Sequence, residues 1–162
     1  MIKSFVGIDV CEEKLDIFLH PVQEYVQFNN TSRGITALCK FLGKYEIEQI
    51  GMEATGKLEA LCAEKLIKSG YKVSVINPAQ ICYFRRSLGL KAKTDVIDAE
   101  VIARFTEFRK PPLQKLQSAT TVQLFELSMR RRQLLFQKEA ERSRLRRVRD
   151  DYCKQVVHIV EV

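Results

Sequence analysis

The first thirty residues carry the alternation of apolar and polar positions that is typical of β-strands. Residues 2–9 form an apolar run that ends at Asp9, and residues 14–20 alternate before Pro21. Residues 22–28 place Val, Glu, Val and Phe on one face and Gln, Tyr and Gln on the other. This pattern predicts a hairpin followed by a third, partly exposed antiparallel strand.

From residue 31 onward, apolar residues recur at intervals of three and four between short strand-like runs. Capping residues before Ser32 predict a helix that ends near Gly43. The rest of the predicted order is strand, helix, strand, helix, helix, over residues 47–53, 56–69, 71–77, 78–87 and 94–105. Three antiparallel strands followed by parallel crossovers form a mixed α/β sheet, and this order fits a ribonuclease H-like sheet.

The last third of the chain has a different pattern. Paired prolines at Pro111 and Pro112 predict a boundary between a first domain, 1–110, and a second segment, 111–162. From about Ala119 there is no Gly or Pro, and apolar residues recur at threes and fours, which predicts one amphipathic helix of ~40 residues and ~60 Å. We expect it to form a dimeric coiled coil, and to be cut short in this chain because the pattern does not end before the last residue.

The formal net charge of +7 lies entirely in this last third. Residues 1–108 hold 14 basic and 14 acidic residues, whereas residues 109–162 hold 13 and 6. Two arginine blocks account for most of the excess: Arg130, Arg131 and Arg132, then Arg142, Arg144, Arg146, Arg147 and Arg149. Such blocks attract phosphate backbones by counterion release, although a solvated helix face is the alternative interpretation.

The composition excludes several classes of protein. With 46% hydrophobic and 29% charged residues, the chain has a soluble globular composition. It lacks the ~18-residue apolar run of a membrane span, and its first twenty residues contain four acids, unlike a signal peptide. Five cysteines without a C-x-x-C pair predict neither a disulfide framework nor a zinc cluster. We therefore expect a cytoplasmic protein.

Four carboxylates are the candidate chemical groups. Asp9 and Glu53 end the first and fourth predicted strands, where open α/β sheets have their sites. Asp95 and Asp98 share one face of a helix start, although acids there can also serve only the helix dipole. Acids gathered in one place repel each other unless a cation compensates them, and oxygen ligands suit Mg²⁺ or Mn²⁺.

Four ordered motifs give the chain a resemblance to a known family. VGIDVCEEKLD at 6–16, MEATG at 52–56, INPAQ at 76–80 and KTDVIDAEVIARF at 93–105 are similar to the N-terminal domain of the DEDD insertion-sequence transposases, whose relatives include the Piv DNA invertase. The resemblance implies a RuvC-like domain with a catalytic, metal-binding tetrad at Asp9, Glu53, Asp95 and Asp98. It also implies a coiled coil, a later domain with a serine nucleophile, and a guide RNA in some branches. The chain departs from the family at Cys11-Glu12, where Ser-Lys is usual.

The sequence therefore predicts the catalytic domain of a DNA transposase or recombinase that uses Mg²⁺ or Mn²⁺ and acts on DNA as a homodimer or larger assembly. Lys91 and Lys93 are further candidates for phosphate contact. One alternative is a dimeric, non-catalytic nucleic-acid-binding module whose acids are structural. A sugar-kinase-like or actin-like ATPase is disfavoured, because the two glutamates of CEEK would lie where a triphosphate should bind.

Overall fold

The computed structural model describes residues 3–90, 94–116 and 119–147, without the side chains of 119, 126 and 145–147. These residues form five strands and five helices. In chain order they are β1 Lys3–Val10, β2 Lys14–His20, β3 Glu24–Asn29, α1 Ser32–Leu42, β4 Glu46–Glu53, α2 Ala60–Lys68, β5 Val73–Ile76, α3 Pro78–Ser87, α4 Asp95–Arg109 and α5 Ala119–Arg147. The chain divides into two compact units, Met1–Leu116 and Gln117–Val162.

The first unit is built on one five-stranded sheet with the order β3-β2-β1-β4-β5. β1 pairs with β2, and β2 with β3, in antiparallel fashion, whereas β1 with β4 and β4 with β5 are parallel pairs. The predicted fold class, a mixed α/β ribonuclease H-like sheet with three antiparallel strands before the parallel crossovers, is confirmed.

One face of this sheet forms the main core. Alternate residues of β1 and β2 point to that face, where they pack against α1 and α2. The buried residues at the centre of this core are Val6, Ile8, Val10, Leu15, Ile17, Leu19, Ile35, Leu38, Leu42 and Leu66. The other residues of β1 and β2, including Asp9 and Asp16, therefore belong to the opposite face.

Helix α4 covers the opposite face and packs on β1, β2 and β4. It lies very close to the sheet at Gly7 and Gly51, which are partners in the parallel ladder. A Cβ atom added to Gly7 would lie 2.0 Å from the carbonyl oxygen of Ala99, and one added to Gly51 would lie 2.0 Å from Oγ1 of Thr106. Gly7 thus allows the backbone of α4 to rest directly on β1, and Gly51 leaves room for the side chain of Thr106 on β4.

Helix α3 packs against α4 on the same side. The rings of Phe84 and Phe105 meet edge to face with centroids 5.4 Å apart, which is a favoured aromatic geometry. This contact fixes the end of α3, where Arg85 follows Phe84, beside α4.

The segment that follows α4 is bonded to the sheet. Gln49 donates from Nε2 to the carbonyl oxygen of Pro111 at 2.7 Å, and Ser74 donates from Oγ to those of Pro111 and Pro112 at 3.0 and 2.9 Å. The backbone N–H of Gln114 donates to the carbonyl oxygen of Val73 at 2.7 Å. Residues 111–116 therefore belong to the first compact unit.

The second unit contains α5, a helix of 29 residues as far as it is described. Its apolar side chains at Leu124, Leu127, Leu134 and Leu135 are exposed. The remainder of the predicted long helix lies outside the described residues. None of the described helices combines the length and the apolar character that spanning a membrane requires.

Candidate active site

Two carboxylates face each other across the antiparallel pair of β1 and β2. Asp9 and Asp16 are directly opposite in the ladder, so both side chains lie on the α4 face. Asp16 is fully buried and Asp9 partly buried. One carboxylate oxygen from each and the Sγ atom of Cys11 all lie within 4.8 Å of one another. The end of β1 therefore carries a close group of metal-ligating atoms.

Asp16 is held by polar groups from two strands. The hydroxyl of Tyr25 and the amide of Gln27, both on β3, donate to its Oδ1, the latter at 2.8 Å. Nζ of Lys14 lies 3.3 Å from its Oδ2. Burial by itself would raise the pKa of Asp16, but these three partners outweigh it and hold the pKa below the ordinary value. Asp16 is consequently a fixed negative charge.

The two acids of α4 lie in its first turn, after the N-cap Thr94, whose hydroxyl accepts a hydrogen bond from the N–H of Ile97. Asp95 is exposed and Asp98 is buried. Lys14 on β2 donates to Oδ2 of Asp95. Arg85 on α3 donates to Oδ1 of Asp98. Each acid is therefore tied to a basic residue from another element.

The surroundings of Asp9 shift its pKa upward. Burial raises its pKa, and the negative charges of Asp98, Asp16 and Asp95 raise it further. The contacts place the same carboxylates near one another: Asp16 lies opposite Asp9, and the ammonium group of Lys14 lies against both Asp16 and Asp95. Ala99, the residue after Asp98, lies against Gly7 of β1. Three of the four predicted site acids, Asp9, Asp95 and Asp98, are thus brought together.

Glu53, the fourth predicted acid, ends β4 at the same edge of the sheet. β4 is parallel to β1 with Ile8 opposite Met52, and Asp9 and Glu53 are the next residues of their strands. Glu53 is partly buried. Among the residues that the structure describes, the tight ligand group contains neither Glu53, Asp95 nor Asp98, so the four predicted acids share an edge without forming one close set of ligand atoms.

The remaining predicted site residues are basic. Those of α5 with described side chains, Arg130, Arg131, Arg132, Arg142 and Arg144, are exposed. Arg146 and Arg147 lie within α5, but their side chains are outside the described set. Lys91, Lys93 and Arg149 lie outside the described residues altogether. The structure therefore gives no site geometry for phosphate contact at these last positions.

Sequence reasoning missed three residues of this edge: Lys14, Asp16 and Arg85. The one available signal was Asp16, a carboxylate inside the otherwise apolar run of β2. Burying a charge there requires partners, so its position already pointed to a polar network. Nothing local marks Lys14 or Arg85, because their acidic partners on α4 are 81 and 13 residues away.

The chain is similar in sequence to a family of transposases. Residues 6–154 match the model of the DEDD transposases of the IS110 type. The chain belongs to this family. The resemblance carried by the four motifs is thereby confirmed.

Two curated relatives of this DEDD chain are the pilin gene-inverting proteins of Moraxella lacunata and Moraxella bovis. Each is 29% identical over 150 residues, which cover 89% of the chain and 47% of the relative. The chain thus spans about half the length of these relatives.

Solved structures that are similar to this chain include two of Thermus thermophilus RuvC. RuvC in complex with a Holliday junction substrate gives a TM-score of 0.48 at 15% identity, over 67% of this chain and 95% of RuvC. A second RuvC structure also gives a TM-score of 0.48, at 16% identity, over 72% of this chain and 100% of RuvC. The fowlpox virus resolvase in complex with Holliday junction DNA gives 0.39 at 14% identity, over 64% and 96%.

Proposed function

We propose that this DEDD chain is the catalytic part of a DNA transposase or recombinase that cleaves and transfers DNA strands with the help of divalent metal ions. The observation that carries the proposal is the gathering of acids at one edge of the sheet, where Asp9 lies opposite Asp16 and the first turn of α4, with Asp95 and Asp98, is held to β1 and β2 by the contacts of Gly7 and Lys14. Concentrating negative charge in this way is costly unless the site serves a cation.

The donor atoms fit hard divalent cations. Asp9, Glu53, Asp95 and Asp98 offer only carboxylate oxygens, which Mg²⁺ and Mn²⁺ prefer. When bound there, such an ion would supply an activated oxygen nucleophile and stabilise the leaving oxygen of a phosphodiester. Cys11 is a softer ligand beside Asp9 and is no part of this donor set.

The chain's own residues orient these oxygens. Arg85 holds the buried Asp98 on α4, and Asp9 is fixed by its place in the β1–β2 ladder. The close contact of α4 with Gly7 sets the distance between the helix and the strand. Acids on two rigid elements are positioned more precisely than acids on loops, which is what phosphodiester chemistry requires.

DNA is the proposed substrate, with α5 as a contact surface for its backbone. The exposed arginines of α5 offer charge and bidentate geometry to phosphates. We further propose a homodimer or larger assembly formed through this helix, a guide RNA as a partner, and a nucleophile domain beyond this chain for complete recombination. The resemblance to the DEDD transposases implies these additions, and the chain spans about half the length of the curated relatives that it matches.

A second function is favoured by one observation. Asp95 and Asp98 already have ion-pair partners in Lys14 and Arg85, as acids with a purely structural role would. In that case the chain would be a non-catalytic nucleic-acid-binding module.

The substitution Asp9→Asn separates the two functions. If the acids are catalytic, we expect D9N to abolish calorimetric Mg²⁺ binding and to lower Mg²⁺-dependent DNA cleavage by about 10³-fold, because metal catalysis supplies several kcal/mol. Binding of duplex DNA should stay within about twofold, since Asp9 contributes no positive charge.

The control for D9N is Glu64→Gln, which removes the same charge from an exposed position on α2. It should leave Mg²⁺ binding and cleavage unchanged. Equal Mg²⁺ binding by D9N and the unsubstituted chain would reject the catalytic proposal in favour of the binding module.

A further inference from the structure

Lys14 connects the two sides of the acid cluster. It is the first residue of β2, and its ammonium group donates to Oδ2 of Asp95 on α4. The same ammonium group lies 3.3 Å from Oδ2 of Asp16 in its own strand. A single basic side chain thus joins an exposed acid on the helix to a buried acid in the sheet.

The two acids that Lys14 joins differ in how firmly they are held. The side chain of Asp95 is 53% exposed, whereas that of Asp16 is fully buried and also accepts hydrogen bonds from Tyr25 and Gln27. Asp95 can therefore turn toward another cation at small cost, but Asp16 cannot. If Asp95 leaves, the ammonium group keeps Asp16 as its partner.

We infer that Lys14 is a positioning residue that acts as a tethered counter-ion: it holds Asp95 toward β2, and its positive charge competes with divalent ions for the acid cluster. The inference rests on the proposed function, because it assumes that Asp9 and Asp95 bind such ions. It also gives Asp16 a role, which is to retain the ammonium group of Lys14 when Asp95 turns to the metal.

The physical basis is the repulsion between like charges. A divalent ion beside Asp95 must bind against the positive charge of Lys14, and this charge is partly screened because the side chain is 34% exposed. Removing the charge takes this compensation from Asp95 and Asp16 in the absence of metal, while Arg85 still pairs with Asp98, and makes the cluster more attractive to a divalent ion. A side chain that only braces the fold would have no such effect on metal affinity.

The test is the affinity of the 162-residue chain for Mn²⁺, measured by titration calorimetry, together with the midpoint of thermal unfolding in EDTA. We expect Lys14→Met to bind Mn²⁺ about tenfold more tightly and to unfold at a lower temperature in EDTA. Lys14→Arg, which keeps the charge, should bind Mn²⁺ within about twofold of the unsubstituted chain.

The matched control is Lys68→Met, which removes an equal charge from the exposed pair with Glu64 on α2. It should leave Mn²⁺ affinity unchanged. Unchanged or weaker Mn²⁺ binding by K14M overturns the inference, whatever happens to its stability.

Failure of the proposed function has a different signature from failure of this inference. If the unsubstituted chain binds no Mn²⁺, or if D9N binds it equally well, the metal site itself is rejected and the inference falls with it. If D9N loses Mn²⁺ binding and K14M does not gain affinity, the metal site stands and only the role of Lys14 is rejected.

Discussion

Asp9 and Asp16 face each other across two strands, but their surroundings shift their pKa values in opposite directions. Burial and three neighbouring acids raise the pKa of Asp9. At Asp16, burial would raise the pKa, but hydrogen bonds from Tyr25 and Gln27 and the nearby Lys14 lower it below the ordinary value. One carboxylate of the pair is therefore stabilised in its charged form by the fold, and the other is destabilised.

Replacement of Asp16 should be costly near neutral pH. The pKa of Asp16 is lower in the folded chain than its ordinary value of 3.8, so its stabilising effect is present above about pH 3.8 and is lost as the pH falls through the folded value. We expect Asp16→Asn to lower the free energy of unfolding by about 2 kcal/mol at pH 7 in EDTA, measured by urea denaturation. The loss should shrink as the pH is lowered below 4.

Asp9→Asn serves as the comparison for D16N, because the pKa of Asp9 is raised. The contribution of Asp9 to stability is present below its ordinary pKa of 3.8 and is lost as the pH rises through the folded value. In EDTA at pH 7, D9N should therefore be more stable than the unsubstituted chain. Equal stability of D16N and the unsubstituted chain at pH 7 would contradict this account.

The sequence alone predicted some residues of the candidate active site and not others. Asp9 could be found because it lies next to the end of a buried strand, a position where a carboxylate gains nothing from packing. Arg85 could not be found, because it becomes important only when α3 packs on α4 and its guanidinium reaches Asp98. Local pattern marks a residue that is unusual where it stands, whereas partners depend on tertiary structure.

Among the elements, α4 decides the geometry of the site. Its first turn carries Asp95 and Asp98, and its second and third turns rest on the glycines of β1 and β4. The helix could be predicted from capping by Thr94 and from its apolar periodicity. Its position on the sheet could not be predicted, because the two glycines that allow its close approach lie on different strands and are far from it in sequence.

Filling the space at Gly7 should lift α4 from the sheet. The added Cβ of Gly7→Ala would lie 2.0 Å and 2.4 Å from backbone atoms of Ala99 and Ala103, so backbone must move. We expect a loss of about 3 kcal/mol in the free energy of unfolding in urea. We also expect much weaker Mg²⁺ binding, because the acids of α4 would move away from Asp9.

The control for G7A is Gly43→Ala. Gly43 follows α1 with helical backbone angles, and an added Cβ would make only ordinary contacts at 3.5 Å or more. This substitution should change stability by less than about 1 kcal/mol and leave Mg²⁺ binding intact. Normal Mg²⁺ affinity in folded G7A would show that the close contact between α4 and Gly7 does not determine the geometry of the metal site.

For the whole molecule, charge is divided between the two compact units. The acids of the proposed chemistry belong to the first unit, and the arginine blocks belong to the second. The sequence alone predicted this division, because counting charges along the chain needs no tertiary structure. The proposed roles follow the same division, with chemistry in one unit and attraction of the DNA backbone in the other.

Changing Arg130, Arg131 and Arg132 together to Gln should weaken binding of duplex DNA at every sequence. Each phosphate contact that is lost should reduce the slope of log affinity against log salt by about 0.9, because fewer counterions are released. Fluorescence anisotropy over a range of salt concentrations measures this slope. Lys44→Gln together with Lys57→Gln and Lys68→Gln, which removes equal charge from the first unit, is the control, and an equal loss of slope there would contradict a specific role for α5.

The hydrogen bonds that Gln49 and Ser74 donate to Pro111 and Pro112 have a practical consequence for dissecting the molecule. A fragment that stops at residue 110, directly after α4, would keep every strand and every proposed catalytic acid, but it would leave these donors inside the protein with their acceptors removed. Each such loss costs about 1–3 kcal/mol. The shortest piece suited to separate expression therefore extends to Leu116, seven residues beyond Arg109, where the last helix that it needs ends.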